Sequence, residues 1–546
     1  MKLLIVGGVA GGASAAARAR RLSEDAEIIL VERGPEVSFA NCGLPYYIGG
    51  EIKSRDKLVV TTPERLRTRF TLDVRTQSNV ESIDPTNRKV RIKNLITGDV
   101  YEESYDRLIL APGAAPVRPT IEGIDLPGIY TLRNLQDVDR IKQRVDGNIK
   151  HATVLGGGFI GLEVAENLNH LKIPTTLIER NRQLLGPMDA EMTKPILQTL
   201  RDHGVDVRLG ENVVKIEKTD HGLRLILGSG GSLETSMLMV GIGVKPEVSL
   251  AESAGLRIGK SGGIWVDEHM RTSDRDIFAV GDAIEISHVV LGEQSIVPLA
   301  GPANRQGRIA ADNALGGDSR YRGTQGTAIV GVLGKTAAMT GASEKALVRA
   351  GRAFRKVYIH PTDHAGYYPG AESMTLKMLF DPATGEILGG EGVGGAGVDK
   401  RIDILAVAIQ AEMTVFDLEE MELCYSPQYG SAKDPINMLG FVAAGMIRGQ
   451  HPQTDMEGFL SSDGSTDYIL DVRTQEEFDR GHLPGATNIS VDELRSNLDR
   501  LPKDQRIAAY CQVGQRGYLA TRILNQSGFD AVNMGGGYKT YQLLAD

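Results

Sequence analysis

Two cysteines stand in sequence settings that favour thiol chemistry. Cys42 is followed by Gly43-Leu44-Pro45, and Cys511 opens the glycine-containing segment 511–517. The thiolate is the nucleophilic form of cysteine, and backbone N–H groups or a helix N-terminus stabilise it. We therefore expect both cysteines to be held as reactive thiolates, with an inert buried thiol as the alternative at Cys42.

Composition restricts the classes of protein that could use these thiols. The chain has 546 residues, of which 41% are hydrophobic, enough for several domains with cores. A net charge of −9 argues against general affinity for nucleic acid or an anionic membrane. Three cysteines cannot form a disulfide scaffold, so we expect a cytoplasmic protein.

The N-terminus could be mistaken for a secretory signal, because Lys2 precedes an apolar, alanine-rich stretch. Arg18, Arg20 and Arg21 occupy the place where a cleavage site would lie, which argues against that interpretation. No apolar run is long enough to span a bilayer, so a soluble protein is expected.

The first 32 residues predict a strand, a helix and a second strand. Residues 3–6 form a short apolar run, residues 13–22 a helical segment, and residues 28–31 a second apolar run. A glycine-rich turn separates the first run from the helix. This order predicts a βαβ unit, in which the helix N-terminus faces a pyrophosphate.

The glycine turn matches the dinucleotide fingerprint except at its middle position. Gly7, Gly8 and Gly12 are present, whereas Val9 stands where the second fingerprint glycine is expected. Glu32 lies 20 residues after Gly12, the distance at which an acid accepts hydrogen bonds from a ribose. An ordinary α/β turn remains the alternative.

A second fingerprint is complete. Gly156, Gly158 and Gly161 follow an apolar run, and Glu179 ends the next strand, predicted at residues 174–178. The Glu179 carboxylate would repel a 2′-phosphate, which favours NADH over NADPH. Two fingerprints and two reactive cysteines together suggest an enzyme that transfers sulfur and reduces it with electrons from a nicotinamide.

Two further segments carry a family resemblance. Residues 272–283 end in Gly281-Asp282-Ala283, and residues 105–113 end in Ala111-Pro112-Gly113. With the fingerprints they resemble the two-dinucleotide flavoprotein disulfide reductases, which implies FAD in the first fingerprint, NADH in the second, and Asp282 on the ribityl chain. The resemblance assigns these residues to the cofactors: Gly7, Gly8, Gly12, Glu32, Arg33, Ala111, Gly113, Asp282, Ala300, Gly156, Gly158, Gly161 and Glu179.

Cys42 has no partner cysteine nearby, since position 47 is Tyr47. The segment is similar to the single-cysteine branch, which contains NADH oxidases, NADH peroxidases and coenzyme A-disulfide reductases. Such a cysteine accepts electrons as a mixed disulfide, a persulfide or a sulfenic acid. Ala10 stands where the oxidases and peroxidases usually carry histidine, so the resemblance favours the coenzyme A-disulfide reductases.

That branch also implies a coenzyme A site. Positions 14, 18 and 21 recur at helical spacing and share one face, where Arg18 and Arg21 could clamp phosphates. A solvated basic face is the alternative. The residues that the resemblance assigns to CoA are Ser14, Arg18, Arg21, Ser38, Asn41, Asn304 and Lys433.

Residues 326–446 resemble the dimerisation domain of this family, which implies a homodimer. Tyr367 and Tyr425 match tyrosines that act in the active site of the other subunit, although packing at the dimer interface is the alternative. Cys424 is expected to be a packed thiol. His360 and His364 stand four apart, but Pro361 interrupts the helix that a metal site would need, so no metal is expected.

The C-terminal segment resembles a rhodanese domain through three motifs in order. These are residues 468–473, residues 481–489 and the Cys511 loop. Arg516 follows Cys511 by five residues, whereas cysteine phosphatases place an arginine after six. Cys511 and Arg516 are therefore predicted to act on persulfide sulfur, cradled by backbone N–H groups. A non-catalytic rhodanese fold is the alternative.

The predicted fold class is α/β, with two Rossmann-like dinucleotide-binding domains, an α+β dimerisation domain and a C-terminal α/β rhodanese domain. The predicted boundaries are 1–112 with 245–325 for FAD, 113–244 for NADH, 326–446 for dimerisation, 447–462 for a linker and 463–546 for rhodanese. The predicted function is NADH-dependent, FAD-dependent reduction of CoA persulfide, polysulfide or CoA disulfide. An oxidase or peroxidase, a sulfurtransferase with an inactive flavoprotein part, or a redox-sensing flavin module are the alternatives.

Overall fold

A computed structural model describes residues 1–147, 149–461 and 467–545. The chain divides into two compact units. The first unit contains residues 1–183 and 200–324, and the second contains residues 184–199 and 325–546. The end of the predicted linker at 462 and the predicted rhodanese residues 463–466 and 546 lie outside the described residues.

The described residues of the first unit form 21 strands. They are β1 Lys2–Val6, β2 Glu27–Val31, β3 Asp73–Arg75, β4 Ser78–Asp84, β5 Lys89–Asn94, β6 Val100–Ser104, β7 Arg107–Leu110, β8 Ala114–Pro116, β9 Ile129–Tyr130, β10 Ala152–Leu155, β11 Thr175–Glu179, β12 Asp206–Leu209, β13 Val213–Thr219, β14 Gly222–Leu227, β15 Ser232–Thr235, β16 Met237–Val240, β17 Val244–Pro246, β18 Ile264–Trp265, β19 Ile277–Ala279, β20 Ile284–Ser287 and β21 Gln294–Ser295.

Two parallel five-stranded sheets form the centre of this unit. Their strand orders are β19-β7-β1-β2-β3 and β12-β11-β10-β16-β9. In the first sheet Ile5 pairs with Leu30 and with Ile109. These residues are apolar and fully buried, as expected for parallel strands covered on both faces. The unit also contains smaller antiparallel sheets, among them β4-β5-β6 and β13-β14-β15.

The α-helices of both units follow one numbering. They are α1 Ala10–Leu22, α2 Leu44–Ile48, α3 Pro63–Phe70, α4 Leu135–Asp146, α5 Phe159–His170, α6 Ala190–Asp202, α7 Ser249–Ser253, α8 Ala300–Ala314, α9 Glu344–Arg349, α10 Val398–Gln410, α11 Val415–Glu420, α12 Pro435–Ile447, α13 Met456–Ser461, α14 Gln475–Asp479, α15 Gln515–Gln526 and α16 Gly537–Leu544.

Helix α1 begins at Ala10, three residues earlier than the sequence predicts. Its first turn contains Gly11 and Gly12, which lower intrinsic helix propensity. Close packing compensates, because a Cβ on Gly307 of α8 would lie 2.2 Å from the Gly11 carbonyl oxygen. Small residues therefore bring α1 and α8 together, and this contact sets the direction in which the first glycine turn opens.

The second unit contains an antiparallel sheet and a parallel sheet. Their strands are β22 Ala328–Val332, β23 Lys335–Gly341, β24 Arg355–Ile359, β25 Met374–Phe380, β26 Ile387–Gly394, β27 Gln453–Thr454, β28 Tyr468–Asp471, β29 Thr487–Asn488, β30 Ile507–Tyr510 and β31 Ala531–Met534. The strand orders are β22-β23-β26-β25-β24 and β27-β31-β30-β28-β29. The α/β fold class is confirmed.

Polar contacts join the two sheets of the second unit. His360 at the end of β24 hydrogen-bonds Thr540 of α16 (2.8 Å) and Thr375 of β25 (2.9 Å). Burial lowers the pKa of His360 to about 3, so the ring is neutral at physiological pH. Lys356 forms an ion pair with Glu457 of α13. The parallel sheet is thus anchored to the antiparallel sheet by specific side chains.

Within the described part of the chain, no helix combines the length and the apolar character needed to cross a membrane.

Candidate functional site

The first glycine turn is shaped by two very close backbone approaches. Gly7 has a φ of 98°, and a Cβ there would lie 2.1 Å from the Ala111 carbonyl oxygen. A Cβ on Gly12 would lie 1.8 Å from the Gly7 carbonyl oxygen. Both positions therefore require glycine, and the turn leaves the start of α1 open at the carboxyl edge of the sheet.

The second turn repeats this geometry. Gly156 has a φ of 112°, and a Cβ there would lie 2.5 Å from the Gly241 carbonyl oxygen. A Cβ on Gly161 would lie 1.9 Å from the Gly156 carbonyl oxygen. At Gly158 a Cβ would meet no described protein atom within 4 Å. Protein packing thus does not demand the middle glycine, which explains how Val9 fills the matching place in the first turn.

Each turn is closed by an acid at the end of the second strand. The Glu32 carboxylate accepts backbone N–H groups from Gly8 (2.7 Å) and Gly34 (2.6 Å). The Glu179 carboxylate likewise accepts N–H groups from Gly157 (2.7 Å) and Asn181 (2.7 Å). Both carboxylates are fixed against the glycine turn, with further lone pairs that could accept ribose hydroxyls.

Asp282 follows β19 at the carboxyl edge of the first sheet. Gly281 has a φ of 81° and donates its N–H to the Gln306 side chain (2.8 Å), which fixes the turn. Burial raises the pKa of Asp282, and none of the described residues hydrogen-bonds its carboxyl group. A half-buried acceptor without a donor among the described residues fits a hydroxyl-bearing ligand such as a ribityl chain.

The other predicted cofactor residues also belong to the first unit. Ala111 directly follows β7, Gly113 has a φ of 73°, and Ala300 is the first residue of α8. Arg33 is exposed and pairs with Glu247 (3.3 Å). We call the glycine turns at residues 7–12 and 156–161 the first and second dinucleotide cradle. The two cradles, the carboxylates that close them and Asp282 together fit two dinucleotides bound to this unit.

Cys42 lies in a single turn, residues 41–43, immediately before α2. Its side chain is exposed, yet the surrounding protein excludes enough water to raise the pKa of the thiol, and the charges of Glu163 and Asp282 raise it further. The side chains around Cys42 therefore oppose the thiolate form, and the reactive thiolate expected there stays a prediction.

Glu163 is a site residue whose role the sequence does not reveal. It lies on α5, where burial and the charge of Glu166 raise its pKa to about 7. The Tyr46 hydroxyl donates a hydrogen bond to it (3.4 Å). The only sequence signal is its place on the helix after the second fingerprint. A carboxyl group that titrates near neutral pH beside Cys42 could take up or release a proton there.

We expect Glu163→Gln to lower the pKa of Cys42, because the substitution removes a negative charge that opposes the thiolate. The variant and the wild type should differ in the thiolate fraction of Cys42 above about pH 7, where Glu163 is ionised, and should not differ below it. The measurement is the rate of Cys42 alkylation in the reduced holoenzyme as a function of pH. Glu51→Gln, an exposed change nearby, serves as the control, and identical profiles for all three proteins would contradict the prediction.

The predicted CoA residues of α1 are partly committed to protein contacts. The Ser14 hydroxyl donates to the Asn304 side chain (2.5 Å), and Arg18 pairs with Asp312 (2.6 Å). Arg21 is exposed. The structure thus brings Ser14 and Asn304 together and pairs Arg18 with Asp312, and the clamp of two arginines stays a prediction.

The remaining predicted CoA residues are spread over both units. Ser38 has a φ of 45° and donates its N–H to the Gly8 carbonyl (2.8 Å), beside the first turn. Asn41 is exposed next to Cys42. Lys433 is exposed and belongs to the second unit.

The two predicted catalytic tyrosines meet in the second unit. The hydroxyl groups of Tyr367 and Tyr425 lie 3.0 Å apart, and this hydrogen bond raises the pKa of Tyr367. Both side chains are exposed, at 75% and 51%. A protonated phenol pair in this position can donate a hydrogen bond to a ligand. Cys424 is also exposed, so the expectation of a packed thiol is wrong.

Cys511 directly follows β30 and is buried, with 1% of its surface exposed. Gly514, with a φ of 101°, donates its N–H to the Cys511 sulfur (3.2 Å), directly before α15 begins. The Tyr538 N–H binds the Cys511 carbonyl (2.8 Å) and fixes the loop. One backbone N–H group of the predicted cradle, that of Gly514, therefore reaches the sulfur.

Two arginines flank this loop. Arg516 is held by Glu477 through two hydrogen bonds of 2.7 Å. Arg473 is buried, binds Asp471 (2.7 Å) and donates to the Gln512 side chain (3.0 Å). The sequence identified Arg516 and placed Arg473 in the first rhodanese motif, but it did not indicate Glu477, which lies between the first and second motifs.

Comparison with known proteins places these sites in a family. Residues 1–307 match the pyridine nucleotide-disulphide oxidoreductases, residues 328–434 match the dimerisation domain of those proteins, and residues 455–544 match the rhodanese-like domain.

Three relatives illustrate the similarity. A coenzyme A disulfide reductase of Staphylococcus aureus is 35% identical over 444 residues, covering 81% of this chain and 99% of that protein. The crystal structure of reduced Bacillus anthracis CoADR-RHD is 45% identical, covers 100% of this chain and 98% of that one, and has a TM-score of 0.96. An NAD-dependent persulfide reductase from A. fulgidus is 36% identical, covers 99% and 100%, and has a TM-score of 0.92.

The family uses FAD and a pyridine nucleotide, in agreement with the two glycine cradles of the first unit. Together the matched segments cover most of the chain in the order reductase, dimerisation domain and rhodanese-like domain. The chain belongs to the pyridine nucleotide-disulphide oxidoreductase family, as a fusion of a coenzyme A disulfide reductase-like part with a rhodanese-like domain.

Proposed function

We propose that this protein is an FAD-dependent reductase that uses NADH to reduce CoA persulfide, polysulfide or CoA disulfide, coupled to a sulfurtransferase domain. The main structural support is that a single cysteine, Cys42, lies in the same unit as the two dinucleotide cradles. The relatives named coenzyme A disulfide reductase and NAD-dependent persulfide reductase support the substrate class.

We assign the first cradle, with Glu32 and Asp282, to FAD and the second cradle, with Glu179, to NADH. Bound FAD supplies two-electron transfer from NADH to sulfur. The protein's contribution is to orient the two dinucleotides through fixed backbone N–H groups and carboxylates. The Glu179 carboxylate favours NADH, because it would repel the 2′-phosphate of NADPH.

Cys42 is the proposed covalent site. Attack of its thiolate on the inner sulfur of CoA–S–SH forms a Cys42–S–S–CoA mixed disulfide and releases sulfide. Attack on the outer sulfur instead releases CoA and leaves a Cys42 persulfide. Either species takes two electrons, so the net reaction is NADH + H⁺ + CoA–SSH → NAD⁺ + CoA–SH + H₂S.

The exposed tyrosine pair supports a homodimer with shared sites. We assign Tyr367 and Tyr425 to the active site of the other subunit, where a phenol can donate a proton to a departing thiolate. We assign CoA contacts to Ser14, Arg21, Ser38, Asn41, Asn304 and Lys433, with Arg18 contributing beside Asp312. The three free cysteines fit a reducing cytoplasm.

The proposed function is tested by mixing the holoenzyme with NADH and, separately, CoA persulfide, CoA disulfide and oxygen. We expect fast NADH loss with one or both CoA compounds. Fast turnover with oxygen alone would make the protein an oxidase and would overturn the proposal. Slow turnover with every acceptor would instead indicate a redox-sensing flavin module.

The rhodanese-like domain is proposed to pass sulfur from Cys511 to CoA, which then presents it to Cys42. We expect Cys511→Ser to reduce sulfide release from a polysulfide donor plus CoA by at least about tenfold, because no other thiol is cradled in that loop. Reduction of preformed CoA persulfide should be unchanged. Sulfide release is measured for both proteins, once with polysulfide plus CoA and once with CoA persulfide. Equal rates of sulfide release from polysulfide in Cys511→Ser and the wild type would contradict sulfur transfer through Cys511.

A further inference from the structure

The charge beside Cys511 is set by Glu477 as much as by Arg516. Arg516 lies in the first turn of α15, within interaction range of the Cys511 side chain. Its two terminal nitrogens each donate to one oxygen of Glu477, at 2.7 Å. This bidentate pair matches the arginine charge with a carboxylate.

Glu477 is firmly held in its ionised form. It lies on the short helix α14, where the Thr474 side chain accepts the Glu477 N–H (3.3 Å) and the Glu477 carboxylate accepts the Thr474 N–H (3.1 Å). The hydrogen bonds from Arg516 lower the pKa of Glu477 to about 2. The carboxylate is therefore negative throughout the physiological pH range.

The second arginine at the loop is neutralised in the same way. Arg473 is 2% exposed and binds both oxygens of Asp471, while its remaining donors reach Gln512 and the Gly481 carbonyl. The next cation, Lys539, donates its backbone N–H to the Gln512 carbonyl (3.0 Å). Burial and the charge of Lys335 lower the pKa of its amine.

We propose that Glu477 determines donor specificity at Cys511, by disfavouring dianionic donors such as thiosulfate and leaving persulfides of thiols as the preferred source of sulfur. This inference rests on the proposed sulfurtransferase role of Cys511. A dianion needs uncompensated positive charge to replace its hydration, whereas the outer sulfur of a persulfide carries at most one charge.

The two donors differ in what must leave the site. With thiosulfate, the Cys511 thiolate attacks the sulfane sulfur, the S–S bond breaks, and sulfite departs as a dianion. With a persulfide R–S–SH, the same attack forms Cys511–S–SH and releases the thiolate RS⁻. Neither step requires an oxidant or reductant, and only the first must stabilise two negative charges beside Glu477.

The test compares how fast each donor converts Cys511 to its persulfide, a step that we call loading. The FAD-loaded protein in a Cys42→Ser background is mixed with thiosulfate or glutathione persulfide, without NADH. The reaction is quenched with an alkylating agent, and the Cys511 peptide is quantified by mass spectrometry. Because this assay needs no reductase activity, its failure is distinguishable from failure of the proposed function.

We expect Glu477→Gln to speed thiosulfate loading by about tenfold and to change persulfide loading less than about twofold. Glutamine can still accept from Arg516, so the loop geometry is kept. Asp479→Asn, on the same helix but bonded to Gln475, is the matched control and should change neither rate.

Arg516→Gln provides a second variant, because it leaves the Glu477 carboxylate unpaired. It should slow thiosulfate loading more than persulfide loading. Equal loading by both donors in the wild type, or an unchanged donor ratio in Glu477→Gln, would overturn the proposal. Loss of loading with both donors would also overturn it, since Glu477 would then serve only the structure of the loop.

Discussion

Replacing Cys42 with serine is expected to reduce NADH oxidation by CoA persulfide and by CoA disulfide at least about 1,000-fold, the scale seen when a covalent nucleophile is removed. Cys42 is the only cysteine of the first unit, which holds both dinucleotide cradles. The hydroxyl of serine cannot form the mixed disulfide. The decisive measurement is steady-state NADH loss with each acceptor.

The control for this variant is Cys424→Ser. Cys424 is the other exposed cysteine and has no role in the proposed reaction, so its replacement should leave turnover near the wild-type rate. FAD content should be equal in all three proteins, because Cys42 makes no contribution to the glycine cradles. Residual turnover above about one tenth of wild type in Cys42→Ser would refute the covalent role.

Replacing Lys377 with methionine is expected to destabilise the second unit by about 3–5 kcal/mol, as when one partner of a buried ion pair is removed. Lys377 is 1% exposed and donates to Asp189 (2.8 Å), Glu191 (2.7 Å) and Glu344 (2.8 Å). Methionine has a similar length but no charge. Without the ammonium group of Lys377, the three carboxylates around it would repel one another.

Urea unfolding of the holoenzyme, followed by a signal from the second unit, measures this effect. Lys503→Met is the matched control, since Lys503 is exposed and its amine lies 5.9 Å from the centre of the Phe529 ring. Lys503→Met should change the free energy of unfolding by no more than about 0.5 kcal/mol. If Lys377→Met unfolded at the same urea concentration as the control, Lys377 would not stabilise the second unit.

Much of the first unit could be predicted from local sequence. The glycine spacing and the acids Glu32 and Glu179 indicated both βαβ units, because the hydrogen bonds between these acids and the glycine turns span only 24 and 22 residues of the chain. The start of α1 could not be predicted. It depends on packing against α8, almost 300 residues later, which outweighs the low helix propensity of Gly11 and Gly12.

The electrostatics of the sites could not be predicted from the motifs. Glu163 lies near Cys42 only because α2 and α5 pack so closely that a Cβ on Gly49 would lie 2.0 Å from the Asn167 side chain. Arg18 likewise meets Asp312 across two helices. Helical spacing indicated which α1 residues share a face, but it carried no information about the acid opposite them.

The reaction assigned to Cys42 fixes a stoichiometry, and anaerobic measurement of sulfide released per NADH oxidised tests it most directly. With CoA persulfide in excess, the account predicts one sulfide and one CoA thiol for each NADH. NADH oxidation without sulfide release, or sulfide release that continues unchanged without NADH, would contradict the reduction of persulfide by this enzyme.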